Sequence, residues 1–169
     1  MKINNIHSLI FILFCSFLNG FAQEKINQLD SKGMKNGLWK GIFEESKRPR
    51  YEGTFEHGVE VGTFKYFDDT KAQSLIATRT FSENGTISLT TFYDQKKNKV
   101  SEGKTVNRLK EGVWNYYHKE SNQLMTVENY KSGLLEGLRT VYFPSGAIAE
   151  EAHYKNGQRD GVYKMYLEN

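Results

Sequence analysis

The chain has 169 residues, enough for one ordinary domain or one short repeat array. A hydrophobic content of 38% and a mean hydropathy of −0.64 exclude a multi-span membrane protein. The formal charge of +3, from 23 basic and 20 acidic residues, is nearly balanced and does not indicate a nucleic-acid partner. Fifteen glycines beside 14% aromatic residues are typical of β-hairpins, because glycine serves turns and aromatic side chains favour strands.

Residues 1 to 22 are predicted to be a secretory signal peptide. Lys2 gives a positive start, Leu9 to Leu18 is an apolar run, and small residues stand at Gly20 and Ala22, the positions that signal peptidase reads. A retained anchor is the alternative, but a spanning helix needs about 20 apolar residues. We expect cleavage after Ala22 and export to the periplasm, the outer envelope or the outside of the cell.

The single cysteine, Cys15, lies inside this segment. Phe14 precedes it, whereas a lipidated cysteine normally follows a small residue, so we expect no lipid anchor. The mature chain then has no disulfide and no thiol chemistry. Export without disulfides fits a bacterial envelope better than a disulfide-stapled extracellular domain.

Residues 23 to 32 are assigned to a linker, and a glycine repeat follows. One set of glycines is spaced 25, 50, 25 and 24 residues apart, the gap of 50 being two periods: Gly37, Gly62, Gly112, Gly137 and Gly161. Most have a second glycine four residues earlier: Gly33, Gly58, Gly133 and Gly157, with Arg108 breaking the pattern. This repetition predicts a repeat domain over residues 33 to 169 with about six copies.

Each copy is predicted to be a strand, a tight turn and a strand. Asn-Gly is a strong hairpin signal because a type I′ turn needs positive φ at both central residues. It occurs at Asn36-Gly37, Asn84-Gly85 and Asn156-Gly157. The middle copy is degenerate, because the glycine expected near position 87 is missing, and its register stays open. The predicted fold class is all-β: an elongated antiparallel β-hairpin repeat with a period of 24 to 25 residues.

Two segments, Tyr51 to Phe64 and Tyr154 to Tyr163, resemble MORN repeats, and the longer period resembles the bacterial variant of that repeat. The resemblance covers about residues 33 to 169. It implies a twisted antiparallel sheet of successive hairpins, and it brings two functional associations, with membranes and with antitoxins of toxin–antitoxin pairs. Two features depart from it: the missing middle glycine, and Arg139 where an aromatic residue is expected.

The strands that follow the second glycines predict two different faces. Two and four residues after each glycine lie mostly large side chains, which we expect to be buried: Trp39, Phe64, Trp114, Arg139 and Tyr163, then Gly41, Tyr66, Tyr116, Val141 and Met165. Three residues after each glycine lie polar side chains, which we expect to be exposed to solvent: Lys40, Lys65, Asn115, Thr140 and Lys164.

A row of apolar side chains interrupts the face that we expect to be exposed to solvent. Five residues after each glycine come Ile42, Phe67, Tyr117, Tyr142 and Tyr166. An aromatic ladder on an exposed face is a plausible binding stripe, so Phe67, Tyr117, Tyr142 and Tyr166 are the candidate partner-binding residues. The alternative is that they pack under loops at the strand ends or form a minor second core.

The sequence offers no catalytic, cofactor-binding or metal site. His57, His118 and His153 have no close pairing with ligand spacing. No G-x-S-x-G elbow and no phosphate-cradling loop is present. Asp68-Asp69 is expected to be a solvated pair in a loop. We therefore expect that the protein is not an enzyme.

The sequence favours an exported scaffold that binds an unidentified protein, in the bacterial envelope or outside the cell. The strand from Val162 to Leu167 is a candidate open edge for a partner strand or a second copy. The first alternative is a lipid- or glycan-binding surface, with aromatic residues stacking on sugars or with Lys40, Lys65 and Lys164 meeting anionic lipid. The second is an antitoxin, which rests on the resemblance alone and conflicts with export.

Overall fold

The computed structural model describes residues 25–82 and 84–168. The predicted signal peptide therefore lies outside the described residues. Within those residues the regular secondary structure consists of β-strands alone, and all neighbouring strands pair antiparallel. The predicted all-β hairpin repeat is therefore confirmed.

Thirteen strands form one sheet in chain order. Their bounds are β1 Gln28–Leu29, β2 Lys35–Ile42, β3 Pro49–Glu56, β4 Val59–Phe67, β5 Leu75–Ser82, β6 Ile87–Tyr93, β7 Lys99–Val106, β8 Leu109–Tyr117, β9 Leu124–Lys131, β10 Leu134–Leu135, β11 Gly137–Tyr142, β12 Ile148–Lys155 and β13 Gln158–Met165. β10 and β11 both pair with β9, and the pairing is interrupted at Glu136, which lies between them. At about 4.8 Å per strand the sheet is roughly 50 Å wide.

Tight turns at one end of the sheet, called here the turn end, have positive φ at two successive residues. The pairs are His57-Gly58, Asn84-Gly85, Asn107-Arg108, Ser132-Gly133 and Asn156-Gly157. This is the backbone that a type I′ hairpin requires. The turn predicted at Asn36-Gly37 is wrong: both residues lie inside β2, and the chain turns before Met34.

The second glycine of each copy forms a bulge. Gly62, Gly112 and Gly161 have positive φ, and the register shifts close to each of them. In the middle hairpin, β5 and β6 pair without a shift, and Leu89 lies four residues after the turn glycine. The register of the degenerate copy is therefore fixed by the turn at Asn84-Gly85. Its missing glycine corresponds to a missing bulge.

The sheet begins earlier than the sequence indicated. Gln28 and Leu29 pair with Asn36 and Lys35, inside the range that we assigned to a linker. The side chain of Asn27 accepts from the main-chain nitrogen of Lys40 at 2.7 Å and donates to its oxygen at 3.1 Å. These bonds occupy main-chain groups of β2 that its short neighbour leaves unpaired.

The two faces follow the predicted alternation. The tryptophan face carries Trp39, Phe64 and Trp114, and the lysine face carries Lys40, Lys65 and Lys164. Phe64 and Trp114 are each 1% exposed. Trp39 is half-buried, since it lies near one edge of the sheet. At the other edge, on β13, the expected burial is wrong: Tyr163 is 39% exposed and Met165 is 73% exposed, because no further strand covers them. On the lysine face the three lysines are exposed, but Thr140 is buried.

One row crosses the tryptophan face through the paired positions of successive strands. It contains Trp39, Gly53, Phe64, Arg79, Thr90, Gly103, Trp114, Glu128, Arg139, Ala152 and Tyr163. Gly53 and Gly103 lie beside Phe64 and Trp114, where any Cβ would meet ring atoms at 2.4 Å. Small residues therefore make room for the large rings that form the core.

Arg139, the departure from the aromatic pattern, lies in an ion cluster. Its Nη1 lies 2.6 Å from Glu150 Oε1 and its Nε lies 3.2 Å from Glu128 Oε1. The charge that replaces a ring in this copy is thus matched by two carboxylates on the neighbouring strands β9 and β12. Next to the middle hairpin, Ser88 of β6 and Thr105 of β7 form a buried hydroxyl pair at 2.7 Å. Thr105 lies two residues after Gly103, where Phe55 lies two residues after Gly53.

Candidate functional site

The four candidate residues lie on the lysine face at one end of their strands, called here the loop end. Phe67, Tyr117 and Tyr142 are the last residues of β4, β8 and β11, and Tyr166 follows β13. Successive members belong to different hairpins, so they form the predicted row rather than one cluster. The three strand-terminal residues are half-buried, whereas Tyr166 is 39% exposed.

Tyr93 is a further member of this row that the sequence analysis missed. It ends β6 and pairs with Lys99 across a register shift, as Phe67 pairs with Leu75. The middle copy lacks the second glycine from which the positions of the other row members are counted. The signal that identifies Tyr93 is the aspartate that follows it, since Asp68 follows Phe67 in the same way.

Carboxylates lie beside two of the tyrosines. The Tyr117 hydroxyl donates to Glu102 Oε1, and the Tyr166 hydroxyl donates to Glu151 Oε2 at 2.8 Å. Burial, and then the bond to Glu102, raises the pKa of Tyr117 to about 12. The hydrogen bond from Tyr117 in turn holds the pKa of Glu102 below its ordinary value. Both hydroxyls are therefore neutral donors near pH 7, fixed in orientation by an ionised partner.

Phe67 lines a shallow cavity of about 330 Å³ together with Ile42, Pro49 and Gln73. Ile42 is 52% exposed, so part of this apolar surface is open to solvent. The cavity lies between two copies at the loop end of the lysine face. At this place in the row an apolar side chain of a partner would find a depression.

The lysines of this face are paired with carboxylates. Lys65 Nζ lies 3.0 Å from Glu52, and Lys40 Nζ lies 3.8 Å from the same side chain. Lys164 Nζ lies 3.6 Å from Glu151. The pairing offsets much of the positive charge that the sequence analysis considered as an anionic-lipid contact.

Strand β13 is an open edge of the described sheet. Among residues 25–82 and 84–168 it pairs with β12 alone, and all its residues are exposed. Val162 is 60% exposed and Met165 is 73% exposed, while Leu167, just after the strand, is 91% exposed. The opposite edge, β1, has two residues. The edge is protected in its first half by Arg159, Asp160 and the bulge at Gly161, whereas Val162 and Met165 leave apolar side chains exposed beyond the bulge.

The direction of the free main-chain groups of β13 follows from its pairing. The nitrogen of Tyr166 donates to the Ala149 oxygen at 2.9 Å, so the main-chain groups of Tyr166 point towards β12. Main-chain groups alternate in direction along a strand. Those of Tyr163 and Met165 therefore point away from β12, ready to pair with another strand.

The histidines do not assemble a site. His57 Nδ1 lies 2.8 Å from Asp30 Oδ2, and His118 Nε2 lies 3.1 Å from the main-chain oxygen of Tyr142. His153 is exposed on β12. Within the described part of the chain, no group of three or more His, Cys, Asp or Glu side chains is arranged to hold a metal ion. Residues 25–82 and 84–168 also contain no helix long and apolar enough to cross a membrane.

Comparison with known proteins gives little. No protein-family model and no curated protein matches the chain. Two similar solved structures are crystal structures of TarM, one of them an S. aureus TarM mutant in complex with fondaparinux, α-GlcNAc-glycerol and UDP. Both are 15% identical with a TM-score of 0.43, over 71% and 72% of this chain. The chain spans 20% of the length of TarM, and a likeness this weak carries no argument about function.

Proposed function

We propose that the chain is an exported, non-catalytic MORN-like scaffold that binds a partner protein by strand addition to β13. The observation that carries the proposal is the exposed edge of β13, with the main-chain groups of Tyr163 and Met165 pointing away from the sheet. An added strand satisfies such groups with main-chain hydrogen bonds, which supply affinity for an extended segment. The exposed side chains of Val162 and Met165 offer apolar contacts to the same segment.

A protein partner fits this surface better than an anionic lipid does. The three lysines considered for lipid contact lie within 4 Å of two glutamates, Glu52 and Glu151, so two of their three positive charges are offset. The edge strand, in contrast, offers main-chain donors and acceptors that only another extended chain matches along its length. The row of Phe67, Tyr117, Tyr142 and Tyr166 is a secondary contact surface in this proposal.

The experiment compares two variants at Met165. Met165→Pro removes the outward main-chain donor while leaving the bonds to β12, and Met165→Ala removes only the side chain and keeps the donor. A partner is first captured from the envelope fraction with the tagged wild-type protein, and its affinity for each variant is then measured. We expect Met165→Pro to weaken the complex by about tenfold or more, because a buried carbonyl of the partner loses its donor. Met165→Ala should change affinity much less.

Three results would contradict edge pairing with a partner protein. The first is an unchanged affinity for both variants. The second is an equal loss in both, which would assign the contact to the Met165 side chain. The third is loss of self-association alone in Met165→Pro, measured by sedimentation, which would make a second copy the occupant of the edge. The aromatic row is tested separately by changing Phe67, Tyr117, Tyr142 and Tyr166 together to Ser.

Export is tested on the same protein. N-terminal sequencing of the chain recovered from the envelope or the medium should begin at Gln23, as expected for cleavage after Ala22. An intact chain recovered from the cytoplasm would contradict export and would favour the antitoxin alternative.

A further inference from the structure

A cavity of about 580 Å³ opens on the tryptophan face, away from the aromatic row and from β13. Its volume is typical of small-molecule sites. Four cationic side chains line it: Lys35, Arg50, Arg79 and Arg108. They come from β2, β3, β5 and the turn between β7 and β8, so only the folded sheet brings them together.

The floor of the cavity is aromatic, and it holds three of the cations in position. Lys35 Nζ lies 3.1 Å from the Tyr51 hydroxyl and 4.8 Å from the centre of the Phe55 ring. The guanidinium carbons of Arg50 and Arg79 each lie 5.7 Å from a tyrosine ring, that of Tyr51 and Tyr66 respectively. These rings orient the cations without neutralising them.

The charge of the cavity is unbalanced. Among its described lining residues, Glu60 is the single carboxylate, so four cations face one anion and three positive charges are left over. Glu60 Oε2 lies 3.5 Å from Arg108 Nη2. Within residues 25–82 and 84–168, Arg50 and Arg79 form no ion pair. Concentrating like charges without counter-ions is unfavourable unless a ligand supplies them.

Arg108 reaches the cavity from a strained backbone. Its φ is +67°, at the turn position where four other hairpins have glycine: Gly58, Gly85, Gly133 and Gly157. A side chain is disfavoured in this conformation, and such outliers cluster at functional sites. The main-chain nitrogen of Asn107 donates to the Thr86 oxygen at 2.9 Å, which sets the Arg108 turn against the Asn84-Gly85 turn at the rim.

We propose that this cavity binds a small organic bisphosphate. Two phosphate monoesters carry about three to four negative charges near pH 7, which matches the excess of three positive charges. Guanidinium groups bind phosphate oxygens with two parallel hydrogen bonds, and three of them line the cavity: Arg50, Arg79 and Arg108. The aromatic floor packs against the carbon skeleton between the phosphates. Glu60 holds Arg108 while the site is empty and competes with the ligand for it.

The test measures binding of fructose 1,6-bisphosphate and 2,3-bisphosphoglycerate by calorimetry, with fructose 6-phosphate and inorganic phosphate as single-phosphate comparisons. We expect at least one bisphosphate to bind about tenfold more tightly than either comparison compound, since the second phosphate adds its own charge-assisted hydrogen bonds. Binding should weaken at high salt. Absence of binding by both bisphosphates at millimolar concentration would overturn the proposal.

Three variants separate a built site from a general attraction to positive charge. Arg79→Gln should weaken bisphosphate binding about tenfold. Lys104→Gln removes the same charge from an exposed position outside the cavity and should change affinity less than about twofold, because an exposed distant charge is screened. Glu60→Gln should strengthen binding, an effect that damage to the fold does not produce. Equal weakening by Arg79→Gln and Lys104→Gln, or weakening by Glu60→Gln, would overturn the proposal.

Discussion

Replacing Gly103 by alanine tests whether the core depends on a glycine beside each large ring. A Cβ at this position would lie 2.4 Å from Trp114 Cδ2 and 2.5 Å from Cε2, distances that packed side chains do not show. Gly103 does not have positive φ, so the strand backbone itself tolerates alanine. The whole cost of the substitution therefore comes from contact with the ring.

The magnitude follows from what Trp114 would lose. The ring is 1% exposed, and its Nε1 donates to the Lys104 oxygen at 2.9 Å. Overpacking costs about 1–3 kcal/mol, and the strained hydrogen bond adds about 1 kcal/mol. Alanine recovers about 0.5–1 kcal/mol because it has less freedom than glycine in the unfolded chain. We expect the free energy of unfolding to fall by about 1–3 kcal/mol, which lowers Tm by roughly 3–10 °C.

The assay is thermal and urea unfolding followed by far-ultraviolet circular dichroism, because tryptophan fluorescence changes with the control. That control is Gly103→Ala in a Trp114→Leu background, where the ring that causes the clash is absent. The substitution should then be neutral or slightly stabilising, so the two positions show a large interaction energy. An equal loss of stability in both backgrounds would refute the steric reasoning and point to the backbone instead.

Two further predictions concern the turn end and the loop end. Arg108→Gly should raise the free energy of unfolding by about 0.5–1 kcal/mol, because glycine relieves the positive φ of +67° but adds freedom to the unfolded chain; a lowered urea midpoint would contradict this. Tyr117 has a folded-state pKa raised from 10.0 to about 12, so its contribution is complete below pH 10 and is lost as the pH rises towards 12. Tyr117→Phe should therefore lose less stability than the wild type over this window. The same variant should flatten the decline below pH 4.5, because Tyr117 lowers the pKa of Glu102; identical pH profiles would contradict both expectations.

Local signals made the repeat predictable. The glycine pairs four residues apart act at two sites of each hairpin, the first in the tight turn and the second in the bulge, as at Gly58 and Gly62. Both sites need positive φ, so the glycine spacing alone identifies the fold. Because both sites have positive φ, a single glycine does not show which of the two sites it occupies. This explains the wrong turn prediction at Asn36-Gly37. Gly37 has positive φ as a turn glycine would, and only its position four residues after Gly33 reveals that it is the second member of a pair.

The cationic cavity was not predictable in the same way. Its four cations are up to 73 residues apart in the chain, from Lys35 to Arg108, and each occurs singly among ordinary strand or turn residues. A nearly balanced total charge hides such a cluster, because composition does not record which charges share a face. The row of Phe67, Tyr117, Tyr142 and Tyr166 was visible because its members repeat in phase, and whether it contacts a partner stays a prediction.

The degenerate middle copy supplies one of the cavity's four cations, Arg79. In regular hairpins the row across the tryptophan face sets a small residue beside a ring, as in Gly53 with Phe64 and Gly103 with Trp114. In the middle hairpin the paired residues are Arg79 and Thr90, so a cation occupies the small-residue position and a short side chain occupies the ring position. The exchange removes one ring from the core, which destabilises the sheet, and adds a guanidinium beside Tyr66. Loss of the repeat pattern at this position therefore coincides with the gain of a cation in the cavity. If the proposed bisphosphate site exists, function and stability make opposing demands on Arg79.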